Sequence, residues 1–142
     1  MDKTPDYRHL SRHLPNTINA LLALAEDVEV FGQEAGWDDA VVMQVNLVLE
    51  ELIVNAIDNG YSDGRNGGID VLIETNRQAI CIHITDDGDA FDPFQMATPD
   101  LSLAIEDRPI GGLGIYLVRS YMDSCEYHYI DHRNQVILTK RL

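Results

Sequence analysis

The spacing of apolar residues divides the chain into short segments with a period of two and longer ones with a period near 3.6. Tyr7 to His13 alternates loosely and is broken at Pro15-Asn16, which predicts a first strand followed by a helix capped near Asn16. Over Thr17 to Ala35, the residues Ile18, Leu21, Leu22, Ala25, Val28 and Phe31 recur at helical spacing, and Gly36 supplies a stop. Asp38 is a candidate cap for a second helix that opens with Val41, Val42, Val45 and Val48 and closes near Asn59-Gly60. Ser62 to Gly68, SDGRNGG, is dense in turn formers and reads as a loop. Ile69 to Thr75 and Ala79 to Thr85 follow as an antiparallel pair around Asn76-Arg77-Gln78, with Ile80, Ile82 and Ile84 marking one buried face. No period survives from Asp86 to Gly111, and so long an irregular stretch in a compact domain points to a functional lid. Gly112 to Met122 then reads as a helix, and Cys125 to Ile130 with Gln135 to Thr139 as a closing hairpin around Asp131 to Asn134.

This order predicts a two-layer α/β (α+β) sandwich, a mixed and mostly antiparallel sheet with helices on one face. Few adjacent strands are joined through a helix, so a doubly wound parallel sheet fits poorly. The 142 residues suit a single domain, 1–142, with a substantial core. Composition adds exclusions: 24 acidic against 10 basic residues give a net charge of −14, which argues against a nucleic-acid footprint. Any bound polyphosphate must then be neutralised locally by a cation, backbone N–H groups or a few placed Arg. The apolar runs read as too short for a membrane span and the N-terminus as lacking a signal sequence, so a cytoplasmic protein is expected. Cys81 and Cys125 fall inside the expected strands without a neighbouring thiol and read as reduced packing residues.

Three stretches carry candidate chemistry. In VNLVLEELIVNAIDNGY, Val45 to Tyr61, a helix places Glu51 and Asn55 one turn apart on a line bordering the apolar face, while Glu50 points roughly the opposite way. The run Asp86-Asp87-Gly88-Asp89-Ala90-Phe91-Asp92 ends a strand. It lacks the spacing of a calcium loop; a carboxylate there is able to accept from an amino group, with an acidic surface turn as the plainer reading. Gly111-Gly112-Leu113-Gly114 opens a helix whose free N–H groups suit phosphate, although Leu117 stands where a dinucleotide motif requires a third Gly. A helix start that is merely flexible is the alternative.

Taken together, Glu51-x-x-x-Asn55, Asp86-x-Gly88-x-x-Phe91-Asp92 and Gly112-Leu113-Gly114 resemble the three ordered boxes of the GHKL (Bergerat-fold) ATPases. EELIVNAIDNGY, DDGDAFDPF and RPIGGLGIYLVRSYMD look most like the bacterial anti-sigma factor serine/threonine kinases, from about position 15 to the C-terminus. The resemblance implies ATP and Mg2+ as cofactors. It implies Glu51 as the general base, Asn55 as the magnesium ligand, Asp86 as the acceptor of the adenine amino group, and Gly88 as the point where the ring meets the backbone. Gly112, Leu113 and Gly114 would cradle the phosphates, residues 93–111 would form the lid, and Arg108, its one basic residue, would reach terminal phosphate unless it is simply solvated. Family members often carry His where Asn59 stands and Gly where Ala90 stands, the latter at the lid's base. The implied activity is phosphorylation of a small antagonist protein by a homodimer that also holds a sigma factor. A non-catalytic ATP-binding regulator acting through protein contacts is the rival reading.

Overall fold

A computed structural model of the chain describes residues 6–95 and 113–142. The elements, in order, are β1 (Arg8–Pro15), α1 (Ile18–Ala35), α2 (Asp39–Gly60), β2 (Gly68–Thr75), β3 (Ala79–Asp86), a single 3-10 turn (Pro93–Gln95), α3 (Leu113–Tyr121), β4 (Ser124–Ile130) and β5 (Arg133–Arg141). The strands form one five-stranded sheet in the order β1-β2-β3-β5-β4, and all four pairings are antiparallel. The two-layer sandwich expected from the pattern is therefore present.

The inward residues of the sheet are those the alternation marks. Ile69, Val71, Ile73, Ile80, Ile82, Ile84, Val136 and Leu138 face Leu24, Val28, Val45, Val48, Leu49, Leu52 and Ile53 of the two long helices, with Ile115 and Val118 of α3 completing the layer. α2 contradicts one expectation, because it is long and apolar enough by length and composition to cross a membrane. In the fold its apolar residues Val45, Val48, Leu49, Leu52 and Ile53 lie buried in the core instead.

Two boundaries and one capping bond differ from those read along the chain. Thr17, not Asn16, caps α1, its hydroxyl accepting from Ala20 N at 3.3 Å; Asn16 instead ties β1 to the 62–67 loop, its amide oxygen accepting from Gly67 N at 3.1 Å. Asp38 occupies the cap position of α2 but its side chain accepts no capping bond. The closing hairpin turns on Asp131 and His132 alone, both at positive φ (54° and 62°), so β5 begins at Arg133 and Asn134 belongs to the strand. A two-residue turn with both residues in the left-handed region matches the twist of the strands it joins, which is why the loop is shorter than the expected four residues. Cys81 and Cys125 are free and half-buried.

Candidate functional site

The site forms where the C-terminal half of α2 meets the end of β3 and the start of α3. Asp86, the last residue of β3, points inward with the core residues and is 5% exposed. Its Oδ1 accepts from Gly88 N at 2.8 Å and from Asn134 Nδ2 at 2.9 Å. Burial raises the carboxyl's pKa above the usual aspartate range; the bonds from Asn134 and Gly88 offset part of this, and the neighbouring Asp87 charge adds to it. A buried carboxylate held on one oxygen is poised to accept one more strong donor.

Gly88 has a steric reason to be glycine. A Cβ there would lie 2.8 Å from Gly60 Cα and 3.0 Å from Gly60 O, and Asp89 N donates to Gly60 O at 2.7 Å. The end of α2 is thus pressed against the turn that follows β3, which fixes Asn55 and Asp86 in one slot. Asn55, Ala56, Ile84, Phe91 and Val136 line that slot beside Asp86 and Asn134. The slot is an apolar slit with a polar end, and its open volume of about 20 Å³ admits roughly one water.

One turn before Asn55 on α2, Glu51 lies against the first turn of α3. A Cβ at Gly114 would collide with the Glu51 carboxylate, so the glycine makes the room the acid occupies. Burial raises the Glu51 pKa above the ordinary range, and Glu50 adds a smaller repulsive contribution. Glu50 itself is exposed on the far flank, as the helical spacing implies. Ala90 is exposed, and the peptides on either side of it are held by Asn134, which donates to Asp89 O at 2.9 Å and accepts from Phe91 N at 3.1 Å. The extra methyl therefore lies outside the slot, on a backbone already clamped. Asn59 sits one turn beyond Asn55 and donates to its carbonyl at 2.9 Å. Leu113 begins α3. Arg108, Gly112 and residues 96–111 of the expected lid lie outside the described residues.

Asn134 is a functional candidate that the sequence pattern does not mark, because it falls within the expected Asp131–Asn134 loop. Besides Asp86, it donates to Gly88 O at 3.3 Å and accepts from the Tyr127 hydroxyl, so one amide joins β3, the turn, the lid's base and β4. The signal was present: Asn134, Val136 and Leu138 share the inward parity of β5. Two further supports were also missed. Arg119 of α3 donates to Phe94 O at 2.7 Å and covers the Phe94 ring at 5.3 Å, anchoring the 3-10 turn. The Tyr61 hydroxyl donates to Asp87 Oδ1 at 2.6 Å, which lowers the Asp87 pKa and raises that of Tyr61, already lifted by burial.

The profile of the histidine kinase-like ATPase domain matches residues 14–140, which is nearly the whole chain. The chain belongs to that family. This ATPase domain is similar to the serine/threonine-protein kinase BtrW of Bordetella bronchiseptica, 28% identical over 103 residues that make up 72% of each chain. It is also similar to the serine-protein kinase RsbW of Listeria monocytogenes, 24% identical over 110 residues covering 75% of this chain and 69% of that one. Among solved structures, the RsbU and RsbW domains of a Mycobacterium tuberculosis protein superpose with a TM-score of 0.67 over 95% of this chain, at 18% identity. The ATPase domain spans 32% of that longer chain, and the likeness extends the shared fold to it.

Proposed function

We propose that the protein is an ATP- and magnesium-dependent serine/threonine kinase of the anti-sigma type, which phosphorylates a small antagonist protein in a partner-switching system and holds a sigma factor in the alternative state. The observation that carries this reading is the placement of Glu51 against Gly114 at the start of α3, on the same helix that brings Asn55 beside the buried Asp86. The similarity to serine/threonine- and serine-protein kinases supports the phosphotransfer chemistry.

The residues fit the nucleotide and its metal in kind. Asp86 supplies a buried acceptor for an exocyclic amino group, and Ala56, Ile84, Phe91 and Val136 supply apolar walls for a ring. The start of α3 offers N–H groups and the positive end of a helix dipole to phosphates. Asn55 offers a neutral amide oxygen, sufficient for a cation that keeps most of its ligands as water and phosphate oxygen. Magnesium, when bound, supplies charge neutralisation on the phosphates. In this arrangement Glu51 accepts the proton of a Ser or Thr hydroxyl, the oxygen bonds to the γ-phosphorus, and the bond from that phosphorus to the bridging oxygen breaks to release ADP. Leu113, Gly112, Arg108 and the remainder of 93–111 complete the phosphate cradle and lid in this proposal, and assembly as a homodimer belongs to it as well.

The test is incubation with γ-labelled ATP and a small candidate antagonist protein from the same organism. Wild type should label the antagonist, and Glu51→Ala should lower transfer by about 10²–10⁴-fold while keeping nucleotide affinity. Retained affinity without labelling by wild type would select the rival reading, a regulator that binds ATP and acts through contacts alone.

A further inference from the structure

α1 and α2 face each other across a second concavity, on the flank of α2 away from Asn55: Asn46 and Asn55 are nine residues apart, about half a turn around the helix. This groove has a volume of about 640 Å³. Leu21, Leu24 and Leu49 form its buried floor, and Ile18, Leu22 and Met43 stand at its lips 50%, 61% and 57% exposed. Asn46 closes the floor by donating to Ala25 O at 3.3 Å, so the helices are tied at this separation.

The charge around the groove has one sign. α1 carries Glu26, Asp27, Glu29 and Glu34, α2 carries Asp39, Glu50, Glu51 and Asp58, and neither helix contains a Lys, Arg or His. Asp27 is paired with Arg12 of β1 at 3.0 Å. Glu29, Asp39 and Glu50, which border the groove, form no ion pair with any described residue.

We infer that the α1/α2 groove is a docking site for an amphipathic helix of a partner protein whose apolar stripe is flanked by Lys or Arg. Three features select that occupant. The walls are helices with their backbone bonds satisfied internally, so an extended peptide finds no main-chain partners there, whereas a helix needs only apolar anchors at i, i+3, i+4 and i+7. The unpaired carboxylates at the lips match basic flanks. A second copy of this chain would set the same carboxylates against one another at a net charge of −14 per copy, and an anionic membrane surface is repelled for the same reason.

The probe is a fluorescein-labelled helical peptide with Leu at i, i+3, i+4 and i+7 and Lys on both flanks, beside a counterpart with Glu in place of Lys. Fluorescence anisotropy should show saturable binding of the Lys peptide alone, weakened by added salt. Leu22→Asp, Met43→Asp and Glu29→Lys lie on exposed positions and should each reduce that affinity roughly tenfold, with circular dichroism and ATP titration unchanged. The inference is overturned if the Lys peptide does not bind, if the Glu peptide binds equally, or if the variants bind as wild type does. It is also overturned if sedimentation finds a wild-type dimer that Met43→Asp converts to monomer, because a second copy then fills the groove.

Discussion

Replacing Asn134 by Ala removes the donor to Asp86, Gly88 O and Asp89 O and the acceptor for Phe91 N and the Tyr127 hydroxyl. Several of these groups are buried and would be left unpaired, so Asn134→Ala should cost about 2–4 kcal/mol, read as a lowered midpoint in denaturant. Nucleotide affinity should fall with it. Glu51 makes a prediction of a different kind. Its pKa is raised by burial against α3, so the protonated acid persists to higher pH than an ordinary glutamate's. Transfer should therefore fall on acidification through that raised value, and the acid limb of the pH–rate profile should lie above the usual glutamate range and vanish in Glu51→Ala. Glu51, Asn55 and Asp86 were legible because helical spacing and strand ends place them without any tertiary knowledge. Asn134 was not, because its role depends on lying opposite Asp86 in the β3–β5 register, a pairing that joins positions far apart in the chain.

At the scale of elements, the junction of α2 with α3 turns on one missing side chain. Gly114→Ala drives a methyl into the end of a flexible acid rather than into backbone, so the carboxylate moves and the fold gives little. Helix propensity favours the alanine by about 0.5–1 kcal/mol, so thermal stability should hold or rise while labelling of the antagonist drops. Equal transfer by Gly114→Ala and wild type would remove Glu51 from the reacting position. The helices and strands were readable from period alone, since nearly every element buries one regular face. Turn chemistry was less so: Asp131-His132 contains no glycine, and nothing local marks two consecutive left-handed residues. The cap of α1 falls on Thr17 because Asn16 is used by the 62–67 loop, while α2 keeps Asp38 at its cap position without a side-chain bond.

For the whole molecule, a net charge of −14 opposes any polyphosphate, so a nucleotide binds only if the local site outweighs the global field. The local contribution easiest to isolate is Asp86. Its raised pKa means the folded state holds a proton more tightly than the unfolded chain does, so its ionisation costs stability as pH rises through that window. An asparagine keeps an oxygen for Gly88 N and Asn134 Nδ2 and removes the buried charge, and Asp86→Asn should leave the melting temperature unchanged or higher. Loss of binding in this variant is thus separable from unfolding. The decisive measurement is calorimetric titration of wild type and Asp86→Asn with magnesium-ATP. The expected result is saturable one-site binding by wild type, weakened in the variant by about 2–3 kcal/mol, or roughly 30–150-fold. No binding by wild type, or equal binding by a folded Asp86→Asn, would contradict the nucleotide site.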